Sequence, residues 1–97
     1  MAFELVISPA AKSDLKQIYE FGLQQWGTNQ ANSYLEGIKE KLWSLIEHPR
    51  IGIERFDLMV DIRSVPVNRH SIFYRIKAKD IEIIRILHGR QDPINHL

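Results

Sequence analysis

Asn68-Arg69-His70-Ser71-Ile72-Phe73-Tyr74-Arg75-Ile76-Lys77-Ala78-Lys79-Asp80-Ile81-Glu82-Ile83-Ile84-Arg85-Ile86-Leu87-His88-Gly89-Arg90-Gln91-Asp92-Pro93 is the stretch that decides the fold. Its two runs, Ser71 to Lys77 and Ile81 to His88, are rich in β-branched and aromatic residues, which suit a pleated, half-buried surface. Lys79-Asp80 lies between them as a two-residue turn, so the runs read as a β-hairpin. With that loop Lys77 faces Glu82, Ile76 faces Ile83, Tyr74 faces Arg85 and Ile72 faces Leu87. Opposite charges beside an isoleucine pair fix the register, each matched pair contributing about 0.2–1 kcal/mol.

Alternation of side chains then assigns the faces. Ile72, Tyr74, Ile76, Ile81, Ile83 and Leu87, with Arg85 among them, form a core face covered by helices. Phe73, Arg75, Ile84, Ile86 and His88 form the other face, beside the Lys77–Glu82 pair. It is too apolar for open solvent, so the expectation is a cover by a partner or by the chain's own tail, or a small second core.

Upstream, Phe3-Glu4-Leu5-Val6-Ile7 alternates as a short strand. Ser8-Pro9 starts a helix, because Ser8 can cap it and Pro9 fits the first turn, where a missing N–H costs nothing. Leu15, Ile18, Tyr19, Gly22 and Trp26 form its apolar stripe, and Gly27 ends it. Thr28 is expected to cap a second helix carrying Ala31, Tyr34, Leu35, Ile38, Leu42 and Leu45. Its stop is Pro49, which drives the preceding residue out of helical geometry. Trp43 and Ile46 lie beside this stripe, either widening the core contact or marking a second contact surface. So short a connection makes the two helices an antiparallel hairpin.

Between helices and hairpin, Ile53 to Met59 is the least legible segment, a short strand or a turn containing Arg55. Val60-Asp61-Ile62-Arg63 alternates, and Pro66 implies a strand end, an edge or a bulge. Asn68-Arg69 is the next turn, and the tail from Arg90 is polar, with a turn at Asp92-Pro93. The order is β-α-α-β-β-β: one α+β domain over residues 1–97, with an N-terminal strand and a helical hairpin packed on a mostly antiparallel sheet.

Composition narrows the function. Ninety-seven residues, 44% hydrophobic and 26% charged, suit one soluble domain. No run is long enough to span a bilayer, no signal-peptide pattern is present, and there is no cysteine; the expected compartment is the cytoplasm. Residues 1–48 hold four lysines against six acids, whereas residues 49–97 hold nine basic residues, including every arginine, against six acids. The second half therefore suits an acidic partner. There is no nucleophile elbow, phosphate loop or dinucleotide fingerprint, and His48, His70, His88 and His96 show no metal-ligand spacing. No metal, cofactor or catalytic residue is assigned. RNA cleavage needs only a base, an acid and a cation over the phosphate, and His70 or His88 with Arg63, Arg75 or Arg85 would supply that set. The competing reading makes those arginines sheet residues paired with acids such as Asp61 and Glu82.

Several fragments together resemble the ParE branch of the ParE/RelE superfamily. They are Ser8-Pro9-Ala10-Ala11 with Asp14-Leu15, Trp26-Gly27 with Gln30-Ala31 and Tyr34, His48-Pro49, the Gly52 and Arg55 loop, Ile62-Arg63, Ile72-Phe73-Tyr74-Arg75, and Ile83 to Pro93. The resemblance implies the toxin of a type II toxin–antitoxin system, which inhibits DNA gyrase by binding and is neutralised by a ParD-like antitoxin; nucleic acid is met only through those partners. RelE-type relatives instead cut mRNA on the ribosome, often with a tyrosine near the C-terminus, and this chain has none after Tyr74. An inactive member that only binds antitoxin is the third alternative. On this basis the target contact is expected at Arg63, Arg69, Arg75, His88, Gly89, Arg90, Asp92 and Pro93. Antitoxin contact is expected at Leu42, Trp43, Ile46, Phe73, Arg75, Ile84 and Ile86, a mixed apolar and basic set suited to an acidic amphipathic segment.

Overall fold

In a computed structural model, which describes residues 3–97, the elements run β1 (Glu4–Ile7), α1 (Pro9–Trp26), α2 (Thr28–Glu47), β2 (Ile53–Glu54), β3 (Arg63–Val67), β4 (His70–Lys77), β5 (Asp80–His88) and α3 (Pro93–His96). Met1 and Ala2 of the expected 1–97 domain lie outside the described residues. The sheet order is β1-β5-β4-β3-β2, with β1 parallel to β5 and every other neighbour antiparallel. The expected α+β arrangement is found. Of the strand or turn expected at Ile53 to Met59, the two-residue β2 is a strand, and the short α3 is added in the polar tail.

Ser8 starts α1 as expected: its Oγ accepts the Ala11 N–H at 3.0 Å and donates to the Ile84 carbonyl at 2.8 Å. Gly27 alone separates the helices, at φ 88, a left-handed conformation that a residue with a Cβ adopts only at a cost. It also corrects the second cap. The Gly27 carbonyl, not the Thr28 side chain, opens α2 by accepting the Ala31 N–H at 3.1 Å.

The main core lies between the helices and one face of the sheet. Ile38, Leu42 and Leu45 of α2 meet Ile72, Tyr74, Ile81, Ile83 and Ile86. Each isoleucine or leucine buried in this way contributes about 1.5–3 kcal/mol. Trp26 and Trp43, at 46% and 62% exposed, stay outside this core.

The hairpin register departs from expectation. Lys77 pairs with Asp80, so the loop is Ala78-Lys79, with Ala78 at φ 54; Ile76 faces Ile81 and Arg75 faces Glu82. A shift of two residues leaves the faces near the turn unchanged, because side chains alternate with period two. A β-bulge then changes the phase. Tyr74 faces Ile83 and Phe73 faces Arg85, leaving Ile84 extra. Beyond the bulge Ile86 turns into the main core, whereas Leu87 joins Ile62 and Phe73 in a second, smaller core on the opposite face. The expected sides of Ile86 and Leu87 are thereby exchanged. Leu58, Ile84 and Leu97 pack against the second core, so the chain's own loop and tail provide its cover.

The bulge is held from α1. Strand β1 stops at Ile7, and the outer edge of β5 beyond it offers the Ile84 carbonyl and the Ile86 N–H. Ser8 takes the first, and the Asp14 carboxylate accepts the second at 2.9 Å. Two backbone groups that an unpaired edge would leave unsatisfied are thus supplied by the cap and the second turn of one helix.

Tyr74 anchors the segment after α2. Its buried hydroxyl donates to the Pro49 carbonyl and accepts the Gly52 N–H, both at 2.8 Å. Position 52 has to be glycine, since a Cβ there would stand 2.6 Å from that hydroxyl and 2.9 Å from the Ser64 carbonyl. Pro66 lies in β3 past its pairing with β2, at the sheet edge, where its missing N–H breaks no ladder bond.

Candidate functional site

Three sheet arginines are committed to carboxylates. Arg85 makes a two-pronged contact with Asp14, at 2.7 and 2.8 Å, and donates to the His96 carbonyl at 2.8 Å. The Asp14 carboxylate holds the Arg85 pKa above its ordinary value. Arg75 donates to Glu82 at 2.6 Å, and that bond holds the Glu82 carboxyl below the usual carboxylate range. Arg63 donates to Glu54 at 3.1 Å and to the Gly52 carbonyl at 2.8 Å. The partners of Arg63 and Arg85 are therefore Glu54 and Asp14, not Asp61 or a facing Tyr74; the Arg75–Glu82 pair replaces the expected Lys77–Glu82 pair.

A different cluster forms at the open end of the β4–β5 hairpin, at the tip that the Asn68-Arg69 turn makes between β3 and β4. The true register sets His70 opposite His88, and their rings meet edge to face with centroids 5.1 Å apart. Tyr34 of α2 meets His70 at 5.6 Å, Trp26 meets Tyr34 at 5.9 Å, and Phe21 meets Trp26 at 6.1 Å. Five rings from α1, α2, β4 and β5 thus form a continuous ladder, with spacings in the range of aromatic pairing.

Hydrogen bonds tie this ladder to the backbone and join its members. The Tyr34 hydroxyl oxygen accepts the Arg69 N–H at 3.2 Å and shares a second hydrogen bond with His70 Nδ1 at 2.6 Å. The Arg90 N–H donates to His88 Nδ1 at 3.1 Å. In the neutral His88 ring the proton therefore sits on Nε2. Burial, followed by the neighbouring His88 ring, pushes the His70 pKa down to about 4, against a weaker opposing pull from Asp14.

The ladder lines a cavity of about 430 Å³, bounded also by Ile18, Arg69, Arg90 and Gln91. Arg69 and Arg90 are exposed and enter no ion pair among the described residues. Asp14 reaches the same cavity, but its charge is matched by Arg85. The local excess is therefore positive.

The anticipated target residues consequently separate. Arg69, His88, Gly89 and Arg90 come together at the tip, where the Gly89 N–H donates to the Arg69 carbonyl at 3.0 Å. Asp92 and Pro93 follow as the cap and first residue of α3. Arg63 and Arg75 lie elsewhere in the sheet, in their ion pairs. Of the residues expected to meet an antitoxin, Leu42, Phe73 and Ile86 are buried at 3%, 2% and 2% exposure and present no surface. Their apolar character serves the two cores. Trp43 is exposed; Ile46, Ile84 and Arg75 are partly so.

Sequence reasoning missed Phe21, Trp26 and Tyr34 as members of one site, since Trp26 and Tyr34 read as core stripe of two separate helices and Phe21 fell outside either stripe. It also missed the exposed apolar surface of Ile51, Ile53, Phe56, Met59 and Val60. Among the described residues no group of three or more histidines, cysteines or carboxylates is placed to hold a metal ion, and no helix is long and apolar enough to cross a membrane.

Comparison with known proteins agrees with this architecture. Residues 5–93 match the sequence profile of the ParE toxin of type II toxin-antitoxin system, parDE. Toxin ParE1 of Mycobacterium tuberculosis is 30% identical over the full length of both chains. Toxin ParE1 of Caulobacter vibrioides is 33% identical over 94% of each. A solved structure of the chromosomal ParDE toxin–antitoxin system from P. aeruginosa contains a chain that superposes with a TM-score of 0.79 at 25% identity, covering 89% of this chain and 95% of that one. The fold is that of a small toxin of a type II toxin–antitoxin system. The chain belongs to the ParE toxin family.

Proposed function

We propose that the chain arrests growth by binding and inhibiting DNA gyrase, and that a ParD-like antitoxin neutralises it. The observation that carries this reading is the commitment of Arg63, Arg75 and Arg85 to Glu54, Glu82 and Asp14. Arginines held in that way are poorly placed to serve as the cation over a scissile phosphate, which favours inhibition by binding. The target contact falls to the hairpin tip, Arg69 with His88 to Pro93, where cationic side chains are exposed. Antitoxin contact falls to exposed apolar surface, namely Trp43 and the segment from Ile51 to Val60.

The test is supercoiling by purified gyrase with the purified chain added, with and without antitoxin. Inhibition relieved by antitoxin is the expected result; a folded chain that leaves supercoiling unchanged contradicts the reading. Ribosome-dependent RNA cleavage is the second reading, and it draws on the meeting of Tyr34, His70 and His88 beside Arg69 and Arg90. Cleavage of message in a purified translation system, with gyrase unaffected, would establish it instead.

A further inference from the structure

We propose that the ring-lined cavity at the hairpin tip is a binding site for a nucleoside monophosphate, either free or as the phosphorylated end of a single strand. The inference goes beyond gyrase inhibition and needs only this chain.

Three observations select this ligand class. The volume, about 430 Å³, lies within the usual range of small-molecule sites, roughly 300–1,000 Å³, and the space is concave with an apolar wall. That wall is built from the exposed Phe21 and Trp26 and the partly buried Tyr34, giving a planar ring a surface on which to stack. Arg69 and Arg90 stand beside it without carboxylate partners among the described residues. A guanidinium fork matches a phosphate in shape and charge.

Other groups in the lining agree with an anion. The acid present, Asp14, is neutralised by Arg85. The Arg90 N–H occupies His88 Nδ1, which leaves an Nε2–H donor on His88. A bare phosphate would use the arginines but leave the aromatic wall in water. A plain aromatic ring would use the wall but leave the cations unanswered. A nucleotide engages both.

Trp26 provides the readout. Trp43 is the other tryptophan and is 62% exposed on α2, so Trp43→Phe leaves Trp26 as the single reporter with little effect on the fold. Adenosine monophosphate, inorganic phosphate and a short 5′-phosphorylated oligodeoxynucleotide are each titrated against this protein. Saturable quenching by adenosine monophosphate is expected, with inorganic phosphate binding at least about tenfold more weakly. Arg69→Ala/Arg90→Ala should weaken the nucleotide by about tenfold or more, and Phe21→Ala by about threefold or more. Both changes are at exposed positions, and circular dichroism confirms that the variants are folded. Tighter binding of the oligonucleotide assigns the site to a strand end, and equal or weaker binding assigns it to the free nucleotide; each supports the proposal. Absence of saturable quenching, equal affinity for phosphate and nucleotide, or undiminished binding by the folded double variant would overturn it. Each of these results is independent of gyrase, so either proposal can fail alone.

Discussion

Arg85 lies within β5 and Arg90 two residues beyond its end, and the chain uses them differently. Arg85 is part of a structural knot: its guanidinium closes on Asp14, whose carboxylate also takes the Ile86 N–H at the bulge, and it reaches the tail through the His96 carbonyl. Arg90 lies past the strand end, exposed, beside a cavity walled with rings. The difference teaches that a basic half is not a uniform surface. In the sheet, positive charge holds elements together; at the tip it stays available to a ligand or partner.

The contrast is broken most severely at Asp14. Asp14→Ala removes a nearly buried partner and leaves Arg85 and the Ile86 N–H unanswered, so urea unfolding should show a loss of about 3–4 kcal/mol. Asp14→Ala/Arg85→Ala should lose less than the sum of its single changes, with a coupling of at least about 1 kcal/mol.

Next is the histidine of the tip. His70 takes up its proton near 6.5 when unfolded but near about 4 when folded. Between those values the unfolded chain binds more protons, so stability falls as pH is lowered from 6.5 to 4 and gains nothing further above 6.5. Partial exposure reduces the effect to on the order of 2 kcal/mol. In His70→Gln, which keeps a hydrogen-bonding side chain but cannot titrate, this part of the pH dependence should disappear from thermal unfolding measured across that window.

Smaller effects follow in the sheet. Arg63→Ala loses a charged bond to the Gly52 carbonyl and the pair with Glu54, and should cost about 1–2 kcal/mol. Arg75→Ala breaks an ion pair whose members are 43% and 26% exposed, and the loss should stay below about 1 kcal/mol. Arg69→Ala and Arg90→Ala should change stability by no more than about 0.5 kcal/mol each.

Much of this frame was legible in the sequence, and the place where legibility ended has a physical cause. Ser8-Pro9, Gly27 and Pro49 set the limits of the helices because each acts through local backbone geometry. The α2 stripe from Ala31 to Leu45 was readable from its period. The bulge was not, since a single extra residue, Ile84, is chemically identical to its strand neighbour Ile83. What fixes it lies far along the chain, in Ser8 and Asp14. One missed residue moved Ile86 and Leu87 between faces, and the displaced turn hid the pairing of His70 with His88. Once that pairing is known, Arg69 and Arg90 fall together. Tyr34 and Trp26 complete the site only through the packing of the helical hairpin on the sheet, which no local pattern encodes.

The most direct test of the division between structural and available arginines is gyrase supercoiling measured with the wild-type chain, Arg75→Ala and Arg69→Ala/Arg90→Ala, all shown to be folded. The account predicts that the wild type and Arg75→Ala inhibit alike and that the double variant does not. Full inhibition by the double variant, with loss of inhibition in Arg75→Ala, would contradict it.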